Sequence, residues 1–301
     1  MVAPAAGAPA TRRLSTLLAP SRTLATWLPI GVAAAAFIVL FAGPATSLVH
    51  DWLHEDDAGH GLLLFPVALW LAWRAGLRSD TRPEPGAGAA LLVGSVMIRL
   101  LGGLAAEFFT QRFSIWVALL GLVVFCFGWR QVRHWWLPLT LLVLAIPLPA
   151  LVTNQLAIPL QFEASRLGTA LIRWRHIPVR TAGNVIQLPQ STLFVAEACS
   201  GLRSLSALIA LGVMIGGMYL RTTVGRIAIV FLAIPLAILL NGIRIFLTAF
   251  LVYFVSPESG QGFMHTSEGF AMFVVALGCL AGIATAARLL ERTLSRRLAH
   301  A

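Results

Sequence analysis

The 301-residue chain is 58% hydrophobic and 11% charged, against roughly 45–50% apolar and 25% charged residues in soluble domains, which excludes an ordinary water-soluble protein. Its formal net charge of +10 arises without any lysine. The arginines are spread along the chain and form no single basic patch, which argues against a nucleic-acid-binding protein. Composition therefore indicates an all-α, polytopic integral membrane protein.

Several windows hold about 17 to 22 mostly apolar residues, roughly the length that a helix needs to cross a hydrocarbon layer about 30 Å thick, and we predict eight spans. The predicted spans are residues 27–49, 61–77, 86–106, 113–129, 135–152, 200–220, 227–252 and 269–287. Residues 1–26 lack a small-residue cleavage site before a short apolar core, so we interpret them as a cytoplasmic tail before a retained anchor. The predicted membrane domain covers 27–287, and 288–301 form a basic cytoplasmic tail.

The arginines predict the orientation of these spans. With the N-terminus inside, fourteen arginines fall in inner segments and five in outer segments. Cytoplasmic loops of membrane proteins carry such an excess of positive residues. We therefore expect both termini to face the cytoplasm.

The first outer loop contains the acidic, histidine-rich run HDWLHEDDAGH, residues 50–60. His50 and His54 are four residues apart, and together with Asp56, Asp57 and His60 they are ligand types that zinc or another divalent metal accepts. The run lacks the HExxH order of a metalloprotease helix. We favour a solvated acidic loop and expect no metal or other cofactor, and the metal interpretation stays open.

The longest outer segment runs from Thr153 to Ala198 and contains no full-length span. Its first half, NQLAIPLQFEASRLGTALIRW, has apolar residues at helical spacing with polar residues between them, which predicts an amphipathic helix at the membrane surface. Its second half alternates apolar and polar residues around Gly183 and Asn184, which predicts a short hairpin or a re-entrant element.

The stretch EACSGLRSL places Glu197, Cys199 and Arg203 at the outer end of the sixth span. If the helix has begun at the cysteine, the arginine four residues later lies on the same face. Cys126 and Cys279 fall at other depths, too far for a disulfide with Cys199, and we expect both to be packing residues. Cys199 is therefore the candidate nucleophile.

Two more polar groups lie near the outer ends of the last two spans. Arg244, in the stretch NGIRI, is costly within a membrane unless it is paired or faces a wet cavity, and Asn241 in the same stretch can orient it or add a donor. His265, in HTSEG, begins the eighth span. A thiolate attacks, an imidazole carries the proton, and a guanidinium stabilises an oxyanion. Cys199, Arg244 and His265 therefore form a set that suffices for acyl transfer, in which Arg203 supports the thiolate or holds Glu197.

With these motifs the chain resembles the exosortases, the bacterial branch of the exosortase and archaeosortase membrane transpeptidases. EACSGLRSL, NGIRI and HTSEG match the family pattern in its order and on successive spans. AIPLPALV, PLQ and GHGLLLFP match as well, although Gly59 stands where the family more often has serine before His60.

The resemblance implies a cysteine protease and transpeptidase of the bacterial inner membrane, with its active site facing the periplasm. Its substrates would be exported proteins with a C-terminal sorting signal of the PEP-CTERM type: a Pro-Glu-Pro motif, a transmembrane helix and a basic tail. Cleavage would leave an acyl-enzyme that passes the protein to a lipid, sugar or water acceptor. The alternative is a non-enzymatic transporter or a subunit of an exopolysaccharide export system, which should tolerate loss of the thiol.

Overall fold

The computed structural model describes residues 22–55, 58–183, 185–189, 191–194, 201–256 and 262–299. Side-chain surroundings are described within these ranges except at 22–33, 150, 154, 156–157, 194, 201–204, 262–270 and 294–299. By its contacts the chain forms two compact units, Met1–Ser47 and Leu48–Ala301. The candidate site lies wholly in the second unit.

The chain is an all-α polytopic membrane protein, and about 81% of it is helical. The helices of the described part are α1 (Arg22–His54), α2 (His60–Ala75), α3 (Pro85–Leu104), α4 (Phe108–Phe127), α5 (Trp129–His134), α6 (Trp136–Leu144), α7 (Ala150–Trp174), α8 (Gly201–Tyr219), α9 (Thr223–Phe254) and α10 (Gly262–Ala299). Three short strands, β1 (Arg180–Ala182), β2 (Val185–Gln187) and β3 (Thr192–Phe194), lie between α7 and α8.

Within the described residues, five helical segments are long and apolar enough to cross a membrane. They are Ala34–His54, Pro85–Leu104, Phe108–Phe127, Thr223–Phe254 and Ala271–Thr293. Two shorter apolar helices, His60–Ala75 and Leu205–Tyr219, overlap the second and sixth predicted spans. The number of eight spans therefore stays a prediction.

The prediction of one continuous fifth span over residues 135–152 is wrong. Helix α6 ends at Leu144 and the next helix begins only at Ala150. Pro147 and Pro149 explain the break, because proline has no N–H to donate to the preceding turn and disfavours helical backbone at the residue before it. The non-helical segment 145–149 becomes one wall of the larger cavity.

Helices α3 and α4 form a tight hairpin. A Cβ on Gly121 would come within about 3 Å of the backbone of Leu92, and small residues permit such close helix packing in membranes. Glu107 begins α4 by accepting hydrogen bonds from the backbone N–H groups of Phe109 at 3.1 Å and Thr110 at 2.5 Å. Burial raises the pKa of the Glu107 carboxyl, but these hydrogen bonds and the Arg112 charge outweigh it and lower that pKa.

The amphipathic segment after the proline break forms α7, which packs against α9. Its buried face includes Ala164 and Ile172, which share a core with Ile245 and Ala249 of α9. Its exposed face carries the ion pair between Arg166 and Glu163 at 3.0 Å. The helix thus exists where its periodicity predicts it, and its position at the membrane surface stays a prediction.

The strands form one antiparallel sheet in the order β1-β2-β3. Ala182 pairs with Val185, so two residues connect the first two strands. Gly183 has a φ of 64° in that turn, a backbone region that glycine adopts without steric cost. The described residues of the predicted hairpin or re-entrant element therefore form a hairpin, extended by a third strand. Ile186 of β2 packs on the core shared by α7 and α9.

Helices α8, α9 and α10 pack around a second apolar core. Leu208 and Ile215 of α8 meet Ile229 and Ala233 of α9 and Leu280 of α10. These buried side chains hold three successive helices together, and the same core includes Leu240, the residue just before the NGIRI motif.

Candidate active site

Helices α8 and α9 run antiparallel in a register that three contacts define. These contacts are Gly216 with Arg226, Gly212 with Val230, and Leu205 with Ala237. Extended along both helices, the same register places Gly201, the first residue of α8, across from Asn241 of α9. The start of α8 therefore lies at the level of the NGIRI motif.

Asn241 and Arg244 line one small cavity between α8, α9 and α10. The cavity measures about 40 Å³ and is lined by Leu208, Ala237, Leu240, Asn241, Arg244, Met272, Phe273 and Ala276. A space of this size is large enough to admit a water-sized group. Two polar side chains, one from each end of the NGIR segment, thus face a space large enough for an oxygen atom.

The two polar side chains differ in burial. Asn241 is 6% exposed, and its buried Nδ2 has no hydrogen-bond partner among the described residues. Arg244 is half-buried, with its Nε buried. An amide NH₂ and a guanidinium both donate hydrogen bonds. The cavity therefore offers donors to a carbonyl oxygen or an oxyanion.

The other predicted site residues fall outside the described part of the chain, wholly or by their side chains. Glu197 and Cys199 lie outside the described residues. Arg203 is the third residue of α8 and His265 the fourth of α10, but their side chains are not among those described. In α10, residue 265 lies seven positions before Met272. This spacing corresponds to about 10 Å along the helix axis and puts both residues on the same helix face.

A larger cavity of about 390 Å³ lies beside the first turns of α8. Its walls come from the end of α1, the start of α2, the end of α6, the segment 145–149, the start of α7 and the first turns of α8. It is lined by Asp51, Glu55, Ala58, His60, Val143, Leu144, Ile146, Pro147, Leu148, Thr153, Leu205, Ser206 and Ile209. The cavity thus joins the acidic run 50–60, the AIPLPALV segment and the helix that follows Cys199.

Hydrogen bonds to the proline-broken segment shape this larger cavity. The Ala145 carbonyl would accept from residue 149 in a helix, but Pro149 has no N–H. The indole Nε1–H of Trp52 donates to that carbonyl at 2.8 Å. The carbonyl of Leu144 accepts from Nε2 of His60 at 3.3 Å. His60 therefore contributes a contact that holds the cavity wall.

A buried ion pair ties the acidic run to α4. Nη2 of Arg112 lies 2.8 Å from Oδ2 of Asp51, and the arginine side chain is 8% exposed. Removing one partner of an ion pair that is buried to this degree strongly destabilises the fold, because the other charge stays buried without compensation. The carboxylate of Asp51 is therefore held at the cavity wall.

The histidines of the acidic run do not converge on one point. The rings of His50 and His54 stack with centroids 4.3 Å apart, and His54 Nδ1 bonds to the His50 carbonyl at 3.0 Å. His60 is directed to Leu144 instead. The part of the chain that the structure describes holds no group of three or more metal-ligating side chains, and Asp56 and Asp57 lie outside it.

Cys126 and Cys279 are exposed, free thiols of the described chain. Neither lines one of the two cavities. We expected both to be packing residues, but their side chains face outward from α4 and α10.

Sequence reasoning missed the residues that complete the larger cavity, above all Asp51, Glu55, Thr153 and Ser206. The acidic run and the AIPLPALV segment were both visible in the sequence. What the sequence does not display is that two segments about ninety residues apart meet through Trp52 and Ala145.

Comparison with known proteins adds one finding. The family model described as transmembrane exosortase matches residues 52–282. The match contains Asn241, Arg244 and almost all of both cavity linings. No curated protein and no solved structure matches the chain.

Proposed function

The chain belongs to the transmembrane exosortase family, and we propose that it is a membrane-embedded cysteine transpeptidase. It cleaves a C-terminal sorting signal of the PEP-CTERM type from exported proteins and passes them to an acceptor. Cys199, Arg244 and His265 carry the reaction, and Glu197, Arg203 and Asn241 support it.

The observation that carries this proposal is the small cavity at Asn241 and Arg244. A buried amide and a guanidinium face a space large enough for an oxygen atom, and that space lies level with the start of α8, two residues after Cys199 in the sequence. Donors placed in advance around a developing oxyanion are among the largest contributions to catalysis. The buried Nδ2 of Asn241, which has no hydrogen-bond partner among the described residues, can donate to such an oxyanion.

The proposed reaction begins with attack of the Cys199 thiolate on the carbonyl carbon of the scissile peptide. Arg244 and Asn241 donate hydrogen bonds to the oxyanion. His265 takes the thiol proton and returns it to the leaving amine, so that the C–N bond breaks and a thioester remains. Residue 265 lies about two helical turns before Met272, which lines the small cavity together with Arg244.

The proposed location is the bacterial inner membrane with the site at the periplasmic face. The excess of arginine in the inner segments supports this orientation. The substrate's transmembrane helix would then lie beside the enzyme, with its basic tail at the cytoplasmic surface.

The experiment that tests the function is processing of an exported reporter that ends in a Pro-Glu-Pro motif, an apolar helix and arginines. Cys199→Ala should abolish release of the tail, while Cys279→Ala, the matched control on an exposed face, should process the reporter like the wild type. Processing by Cys199→Ala would overturn the enzymatic assignment and favour a transporter or an export subunit.

A further inference from the structure

The turn between α8 and α9 lies against the C-terminal part of α10, far from the candidate active site. Glu291 of α10 accepts hydrogen bonds from the backbone N–H groups of Arg221 and Thr222 in this turn, each at 3.1 Å. Asn241 follows Thr222 by nineteen residues in the sequence, which is about 28 Å along α9. The region around the turn is therefore separate from the small cavity.

Two arginines beside this turn are held over aromatic rings. The guanidinium carbon of Arg226 lies 5.0 Å from the centre of the Trp136 ring, and its Nε–H donates to the Leu220 carbonyl at 3.0 Å. The guanidinium carbon of Arg288 lies 5.8 Å from the centre of the Tyr219 ring. An aromatic face attracts a guanidinium and stacks on its plane. Because Tyr219 and Leu220 are consecutive, both guanidinium groups lie at the end of α8.

The terminal N–H groups of these two guanidinium groups have no acceptor in the described part of the chain. Among the described residues, Arg226 donates only through Nε, and Arg288 makes a ring contact but no hydrogen bond or ion pair. Both side chains are half-buried. A guanidinium has five N–H donors, and its planar fork matches the oxygens of a phosphate.

The region is positively charged when the residues of the whole chain are counted. Four arginines, at positions 221, 226, 288 and 292, stand against Glu291. The residues after Glu291 include three arginines and no acid, and no acid precedes Asp51. The other acids next to the last three helices adjoin their opposite ends in the sequence, at least eighteen residues or about 27 Å away along the helix. These acids are Glu197, Glu258 and Glu268.

The two other acidic residues of the predicted inner loops have partners of their own. The carboxylate of Asp80 pairs with Arg78 at 2.7 Å and with Arg130 at 3.2 Å. Glu84 accepts a hydrogen bond from the backbone N–H of Trp129 at 3.3 Å. The region around the α8–α9 turn therefore keeps an excess of positive charge, which attracts an anion and repels a basic peptide.

Exposed apolar side chains flank the two arginines. On α9 they are Val224, Ile227 and Phe231, and on α10 they are Leu289 and Leu290. A soluble anion would make no use of this apolar surface, whereas the acyl chains of a lipid would cover it. Basic sites between transmembrane helices bind the headgroups of anionic lipids.

We propose that Arg226 and Arg288 form a binding site for the phosphate of an anionic phospholipid, whose acyl chains lie along the exposed faces of α9 and α10. The rings of Trp136 and Tyr219 then lie at the level of the headgroup, where such rings are enriched in membrane proteins. The inference does not depend on the proposed transpeptidase reaction, because lipid binding alone tests it.

The test is native mass spectrometry of the purified full-length protein in detergent. The protein is titrated separately with phosphatidylglycerol, with zwitterionic phosphatidylcholine and with inorganic phosphate, and the dissociation constant of each is measured. One charge near an arginine changes lipid affinity by about fivefold. We therefore expect phosphatidylglycerol to bind at least about fivefold more tightly than phosphatidylcholine, and inorganic phosphate to bind more weakly than either lipid.

Two variants connect this binding to the arginines. Arg226→Gln and Arg288→Gln should each weaken phosphatidylglycerol binding by about fivefold. Arg288 makes no hydrogen bond with a described residue, so the Arg288→Gln variant should fold even if loss of the Arg226 contact to Leu220 is harmful. The matched control is Arg130→Gln, which removes the same charge from an arginine that already pairs with Asp80 and should leave the affinity unchanged.

Three outcomes would overturn the inference. Phosphatidylglycerol that binds Arg288→Gln as tightly as the wild type would remove the site. An equal loss of affinity in Arg130→Gln and Arg288→Gln would show only the general attraction of a basic surface. Inorganic phosphate or phosphatidylcholine that binds the wild type as tightly as phosphatidylglycerol would exclude an anionic lipid as the specific ligand.

Discussion

Gly168 of α7 lies directly against Ile245 of α9, the residue next to Arg244. A Cβ on the glycine would come within 2.6 Å of Ile245 Cγ2 and 3.1 Å of the Gly242 carbonyl oxygen. The absence of a side chain at Gly168 thus sets how closely α7 approaches the helix that carries the proposed oxyanion donors.

Gly168→Val should therefore impair processing and stability together. Overpacking a tight contact costs about 1–3 kcal/mol, and here the displaced element is α9 at Arg244. The rate of tail release and thermal unfolding in detergent measure the two effects. Gly278→Val is the control, because a Cβ at Gly278 meets no atom within 4 Å, and equal behaviour of the two variants would contradict the prediction.

Arg244→Lys separates charge from geometry. Lysine keeps the positive charge but lacks the planar fork of donors, so the two are not interchangeable at such a site. We expect tail release to fall roughly 10²–10³-fold, as on removal of one oxyanion donor, while the reporter still co-purifies. Arg166→Lys on the exposed face of α7 is the control. Near-normal release by Arg244→Lys would indicate that the arginine only anchors its helix.

Asn241→Leu should affect stability and activity in opposite directions. The buried Nδ2 has no hydrogen-bond partner among the described residues, and replacing an unsatisfied buried amide with an apolar group of similar shape is neutral or stabilising. The same change removes a donor from the cavity, so tail release should fall while the unfolding temperature holds or rises. A large loss of stability would show instead that the amide has a structural role.

Glu107→Gln should weaken the α3–α4 hairpin in a pH-dependent way. The pKa of the Glu107 carboxyl is lowered on folding, mainly because hydrogen bonds from Thr110 and Phe109 outweigh burial. The Glu107 carboxylate therefore stabilises the fold at pH values above the ordinary carboxyl pKa. This stabilisation is lost as the pH falls through the lowered pKa of the folded state. An N-cap is worth about 1 kcal/mol, so wild type and variant should differ near neutral pH and converge in acid. A difference independent of pH would contradict this role.

The orientation of the chain is open to thiol labelling. In a Cys126→Ala, Cys279→Ala background, a membrane-impermeant reagent should label Cys199 from the periplasmic side of intact cells. Labelling that requires exposure of the cytoplasmic face would reverse the topology on which the proposed function depends.

The sequence by itself determined the class of the protein and the positions of its motifs. Long apolar windows and the arginine count are local properties, and the helices that overlap the predicted spans reflect them. The helical period over α7 and the turn at Gly183 were also readable, because they depend on neighbouring residues. The prediction of a continuous fifth span failed because the apolar run of the sequence continues across Pro147 and Pro149, whereas the helical backbone is interrupted there.

Only the tertiary structure decided which motifs share a cavity. Asn241 and Arg244 face Met272 because α8, α9 and α10 pack in one register, and Trp52 reaches Ala145 across 93 residues. Such contacts depend on how side chains of distant segments fit together, which no local pattern encodes. The acidic run, which the sequence predicts to be a solvated loop, therefore forms part of the wall of a cavity beside α8.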